Sequence, residues 1–171
     1  MHIFPALLVW TLALFQLSPA SRIVRSEPLL VRAVVDGNTI DVATFGHVRL
    51  LGIDAPSVGH GSRTAAPFGK EARDRLAAIV ASRWIRLEHE AGVGRAAYVM
   101  TEDGVFVNAL MVREGLARVS GRTSLARFDE LKKAESDAQL SRRGMWSGSA
   151  EIPSPSYTRP SSRSSKIKKK T

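Results

Sequence analysis

From Leu29 the chain reads as short apolar runs separated by turn residues. Leu29 to Val35 is rich in β-formers and stops at Asp36-Gly37, a turn signal. Ile40 to Phe45 alternates apolar with other residues until Gly46 breaks it. Val48 to Ile53 is a third run, ended by Asp54-Ala55-Pro56, because proline has no N–H to give a ladder. Runs spaced about eight to ten residues apart predict a β-meander.

The period then changes. Ala72, Leu76, Ile79 and Val80 fall at helical spacing, with Lys70, Glu71, Arg73, Asp74 and Arg75 on the wet face. Trp84 to Glu90 returns to alternation, with Ile85 and Leu87 on one side and Arg86 and Glu88 on the other. Ala96 to Met100 and Val105 to Val107 flank Asp103-Gly104, a hairpin signal. Val107, Leu110 and Met111 predict a short helix closed by Arg113 and Gly115. A longer helix is expected over 125–143, with Phe128, Leu131, Ala134 and Ala138 inward and Gly144 as its stop. Trp84 and Trp146 are expected in the core. Three strands, a helix, two strands and two helices predict an α+β domain, a small barrel whose helices cover its openings.

The ends differ from this body. Ile3 to Leu17 is an apolar run followed by Ser18-Pro19-Ala20, small residues of the kind a signal peptidase reads, so residues 1–20 are expected to be an export signal. The run is shorter than the ~20 residues of a membrane-spanning helix; an uncleaved membrane anchor is the alternative. Residues 149–171 hold seven serines, three prolines and a terminal Lys-Ile-Lys-Lys-Lys-Thr, a composition expected to stay disordered. The domain is therefore expected over 27–148. The formal charge of +9 is concentrated in the tail, where Arg159, Arg163, Lys166, Lys168, Lys169 and Lys170 face no acid beyond Glu151. Lys166, Lys168, Lys169 and Lys170 predict nonspecific attraction for a polyanion such as DNA or RNA. The chain has no cysteine, which excludes disulfides, thiolate metal sites and a cysteine nucleophile. Exported, periplasmic or extracellular location suits both the leader and the missing thiols.

Candidate chemistry gathers at the strand ends. Metal-assisted phosphoryl chemistry needs hard oxygen ligands and cations that hold phosphate. Asp36 and Asn38 follow the first strand, and Asp54 follows the third. Arg49 precedes Asp54 by an odd offset, so a regular strand would separate them onto opposite faces and only a bend near Gly52 would join them. Asp36-Gly37-Asn38-Thr39 and Arg49-Leu50-Leu51-Gly52-Ile53-Asp54-Ala55-Pro56 resemble the first two motifs of the staphylococcal nuclease (thermonuclease) family. Val107-Asn108-Ala109-Leu110-Met111-Val112-Arg113-Glu114-Gly115-Leu116-Ala117 and Arg142-Arg143-Gly144-Met145-Trp146-Ser147 resemble its later helix and C-terminal signatures, in the same order.

The resemblance implies a five-stranded OB-fold β-barrel with three helices and Ca²⁺-dependent cleavage of DNA or RNA; the protein is expected to be a monomer. It implies metal ligation at positions 38 and 54 and by the Ala55 backbone carbonyl, phosphate binding by Arg49 and Arg95, and a general base at position 57. Two of these positions depart from the family. Asn38 stands in place of an aspartate and Ser57 in place of a glutamate. An amide removes one of two formal charges from the metal site, and a hydroxyl does not take a proton from water near neutral pH. Neither Asp41, which faces away from Asn38 across the strand, nor Glu88 or Glu90 is an evident substitute. His47, His60 and His89 share no metal-ligand spacing. The segment before Arg95 is shorter than the family's, and no tyrosines follow Arg118 to stack on a base. Two functions stay open: a weakened metal-dependent phosphodiesterase, or a non-catalytic OB-fold module that binds nucleic acid or another partner.

Overall fold

A computed structural model describes residues 23–59, 64–121 and 123–148. Its elements are β1 (Val24–Arg25), β2 (Leu29–Asp36), β3 (Thr39–Val42), β4 (Gly46–Leu50), β5 (Ile53–Asp54), α1 (Gly69–Val80), β6 (Trp84–His89), β7 (Ala96–Thr101), α2 (Val107–Arg113), β8 (Arg118–Val119) and α3 (Phe128–Leu140), with a 3₁₀ turn at Gly144–Trp146. The expected export signal and the lysine tail, with Lys166, Lys168, Lys169 and Lys170, lie outside the described residues, as does His60.

Strands β2, β3, β4, β7 and β6 hydrogen-bond in that circular order and close a five-stranded barrel. The β4–β7 pair is parallel and the others are antiparallel. Alternation decides what fills it: Ile40, Val42, Val48, Leu50, Ile85, Leu87, Ala97 and Val99 are buried. Burying each of the valine, leucine and isoleucine side chains contributes about 1.5–3 kcal/mol. Helix α1 lies against β2, and α2 packs on β7 and α3. The α+β class and the barrel with three helices are those expected from the sequence.

Several local expectations are corrected. Val105 to Val107 is not a strand. Phe106 alone bridges to Met100, Val105 N–H donates to Thr101 Oγ1 (2.9 Å), and Val107 already begins α2. The last helix starts at Phe128 rather than 125, because the N–H groups just ahead of it are held from outside. Ala126 N–H donates to Glu90 Oε1 (2.7 Å) and Arg127 N–H to the Tyr98 hydroxyl (3.3 Å). Trp84 is 51% exposed. The pleat that sends Ile85 and Leu87 inward sends Trp84 outward. Strand β1, ahead of residue 27, pairs with β6.

On β6 a buried carboxylate joins three elements. Glu88 is 2% exposed and accepts from Arg25 Nη2 (2.5 Å) and Arg127 Nη2 (2.7 Å). Burial alone pushes its carboxyl up, but the hydrogen bonds from Arg25 and Arg127 prevail and hold it below the usual glutamate range. Burial and the Glu90 carboxylate push the Tyr98 hydroxyl up, so it stays a donor to Glu90 Oε1 (2.5 Å).

Candidate nuclease-like site

The bend that the odd offset of Arg49 and Asp54 requires is present. Strand β4 ends at Leu50, and Gly52 takes φ +78°, a conformation that L side chains rarely adopt. Three contacts fix the bend. Leu51 N–H donates to Ala97 O (2.8 Å), Ser120 N–H donates to Gly52 O (2.9 Å), and the buried Asn108 amide donates to Leu51 O (2.8 Å). Asn108 Oδ1 in turn accepts from Val99 N–H (2.9 Å), so one side chain ties α2, β7 and the bend together. The chain then re-enters a ladder, β5 with β8. Asp54 is thereby turned back, and Arg49 Nη2 donates to its Oδ1 at 2.6 Å.

Asn38 reaches the same carboxylate from the β2–β3 turn. Its N–H donates to Asp36 Oδ1 (2.9 Å), and its carbonyl accepts from Leu50 N–H (2.8 Å). These bonds hold the side chain 3% exposed, with Nδ2 donating to Asp54 Oδ1 at 3.2 Å and to Ile53 O at 3.5 Å. Arg49, Asp54 and Asn38 thus form one hydrogen-bonded group with no net charge: one cation, one anion and one amide whose donor faces the anion.

Position 57 is close by in sequence but differently occupied. The Ser57 hydroxyl is exposed and accepts from Gly59 N–H (3.1 Å), and its carbonyl accepts from Ala66 N–H (2.8 Å). Ala55, half-buried, follows Asp54 directly. Arg95 is not drawn into the group. Its carbonyl accepts from Arg49 N–H (3.3 Å), while its Nη1 lies 3.7 Å from where a Cβ on Gly46 would stand, at the far end of β4.

The carboxylates weighed as substitute bases are committed elsewhere. Asp41 pairs with Arg32 (3.0 Å) on the opposite face from Asn38, Glu88 holds Arg25 and Arg127, and Glu90 holds Tyr98 and Ala126. His47 is exposed and His89 stacks on Phe45, 5.3 Å between ring centroids. The charge left for a divalent cation of the calcium type is therefore reduced: Asp54 Oδ1 already receives a guanidinium and an amide N–H, and Asp36 Oδ1 accepts the Asn38 N–H.

Arg118 also belongs to the site, although no sequence motif marks it. It sits directly across the β5–β8 ladder from Asp54, and side chains of such cross-strand partners lie on the same face. Its guanidinium stands over the Trp146 ring, 4.9 Å from the centroid, and Nε contacts Met145 Sδ at 3.0 Å. Trp146 is thus a stacking partner rather than simple core. Only the pairing of a two-residue strand brings Arg118 to Asp54, and no periodicity signals a strand that short.

Comparison with known proteins identifies the family. The sequence model of the staphylococcal nuclease homologue family matches residues 47–148. The chain is 32% identical to the thermonuclease of Staphylococcus intermedius over 132 residues, 72% of this chain and 78% of that protein. It is 31% identical to the thermonuclease of Staphylococcus hyicus over 123 residues, 67% of this chain and 72% of that protein. With the SPbeta prophage-derived endonuclease YokF of Bacillus subtilis it shares 32% identity over 123 residues, which span 66% of this chain but only 42% of that protein. A closed five-stranded barrel, three helices and these matches together place the chain in the staphylococcal nuclease family, as a nuclease-like domain.

Proposed function

We propose that the protein engages the phosphodiester backbone of DNA or RNA at the Arg49–Asp54 corner and hydrolyses it weakly. The observation that supports this most directly is the composition of that corner. Arg49 is held at the strand bend by a carboxylate, while an amide at position 38 and a hydroxyl at position 57 stand where two further carboxylates would serve a metal and a water. Loss of general-base assistance costs about 10²–10⁴ in rate. Calcium at this site is then weakly held. The neutral closure of Arg49, Asp54 and Asn38 also supports a second reading, a binding module without hydrolysis. Digestion of plasmid DNA, single-stranded DNA and RNA by the purified protein, with calcium against chelator, separates them. Slow, chelator-sensitive cleavage supports the first, binding with no cleavage supports the second, and brisk cleavage overturns both accounts of the site.

The two ends of the chain serve the same role. The protein acts after export, in a periplasmic or extracellular setting, as a monomer, and the tail lysines add electrostatic hold. Replacing Lys166, Lys168, Lys169 and Lys170 by Gln should flatten the dependence of log affinity on log salt, by about 0.9 for each duplex phosphate that the tail no longer neutralises. An unchanged slope removes the tail from the interface.

A further inference from the structure

Beside Asp54 opens a cavity of about 420 Å³ in which Asp54 and Arg118 are the charged lining residues and Pro67, Phe68 and Met145 supply apolar wall. Its size falls in the range of small-molecule sites, ~300–1,000 Å³. It lies on the α1 side of the carboxylate and shares none of its lining with the polar cleft around Gly92 and Gly121.

The wall is held in place rather than loosely draped. Ser57 O accepts from Ala66 N–H (2.8 Å), and Gly69 N–H donates to Ala66 O (3.0 Å). A Cβ on Gly69 would stand 2.2 Å from Ser57 O, so only glycine lets the start of α1 rest on the segment that carries Asp54. Between these anchors Phe68 is forced to φ +66°. A bulky residue in the left-handed region is strained, and strain of this kind gathers where a side chain must be presented to a ligand.

Arg118 supplies the second observation. Among the described residues it forms no ion pair, although Asp54 is its cross-strand partner; Asp54 is held by Arg49 instead. The Arg118 guanidinium rests on Trp146, flat and charged, at the edge of an apolar cavity. Two arginines therefore flank one carboxylate, Arg49 along the chain and Arg118 across the ladder.

We infer that this cavity is a nucleotide subsite next to the Arg49–Asp54 corner, with the base against Pro67, Phe68 and Met145 and the adjoining phosphate on Arg118. The ligand class follows from the lining. Apolar and aromatic surface accepts any base face, and a cation without a carboxylate partner accepts phosphate. This rests on the proposed engagement of nucleic acid and assigns it a second contact on the strand. In this chain Arg118, rather than Arg95, is the cation placed to share the phosphate backbone with Arg49.

The test is displacement of a fluorescein-labelled oligodeoxynucleotide from the full-length protein by 5′-phosphorylated thymidine mono-, di- and trinucleotides. In the wild type, one step along this ladder should raise affinity roughly tenfold, the scale of one stacked base. That step should vanish in Arg118→Gln and in Phe68→Gly. Glycine accepts the left-handed backbone at position 68, so Phe68→Gly removes the wall while relieving the strain. Should Phe68→Gly not fold, Arg118→Gln decides alone. Persistence of the full step in the folded variants overturns the subsite and leaves nucleic-acid engagement standing. A wild type that binds none of the probes overturns that engagement and the subsite with it.

Discussion

Asn38→Asp combined with Ser57→Glu is expected to raise calcium-dependent cleavage of DNA by about 10²–10⁴ over the wild type, the typical worth of a positioned general base. The two changes address separate deficits. Position 38 is 3% exposed with its amide nitrogen 3.2 Å from Asp54 Oδ1. An aspartate there replaces a donor to that carboxylate by a second anion. Position 57 is exposed, so a glutamate fits without repacking and supplies a carboxylate able to accept a proton from water. Each change alone leaves one requirement unmet, so the pair should exceed the sum of the singles.

Asn38→Asp carries its own signature, independent of turnover. Two carboxylates at that distance repel, which raises the proton affinity of one of them and destabilises the fold without a cation. The variant should therefore melt lower than the wild type in chelator and regain stability as calcium is added, by RT ln(1 + [Ca²⁺]/Kd). The wild type, with Asn38 donating to Asp54, should show little response. A double variant stabilised by calcium yet still inactive would place the defect in phosphate handling. One that calcium does not stabilise would mean that the corner lacks further ligands, and the account of position 38 would fail.

The largest expected loss of stability is at Glu88. Glu88→Gln should cost about 3 kcal/mol near neutral pH, as for removal of one member of a buried ion pair. The lower part of that range applies because Arg127 keeps Glu130 (2.9 Å) and Arg25 is more than half exposed. The pH dependence has a definite sign. The two arginines hold the Glu88 carboxyl below its unfolded value, so its contribution is complete above that value and disappears as pH falls through the folded one. Denaturant midpoints of wild type and variant should therefore differ most near neutrality and converge in acid. A gap that widened in acid would contradict this account of Glu88.

Much of the barrel was legible because a β-strand's two-residue period is a local property. Ile40 and Val42, Ile85 and Leu87, or Ala72 and Leu76 mark inward faces wherever they occur, and Asp36-Gly37 marks a turn without outside help. The site motifs were legible for a related reason: Asp36 to Thr39 and Arg49 to Pro56 are contiguous stretches that compare directly with a known family. The failures were of another kind. Trp84 is as apolar as its neighbours but stands at the outward parity, and the start of α3 is set by Glu90 and Tyr98, which lie about thirty residues away in the chain.

The sequence by itself determined the fold class, the family, and the amide at 38 and hydroxyl at 57, since residue identity needs no coordinates. Which charges meet was decided only in three dimensions. Arg49 reaches Asp54 because Gly52 bends the chain and the Asn108 amide holds the bend. Arg95, on a short segment beside Gly46, points away from that corner, while Arg118 stands across from Asp54 through a ladder two residues long. Such placements depend on ladder register and on contacts between distant segments. A one-residue slip would turn each of these side chains to the other face, and local pattern does not specify it.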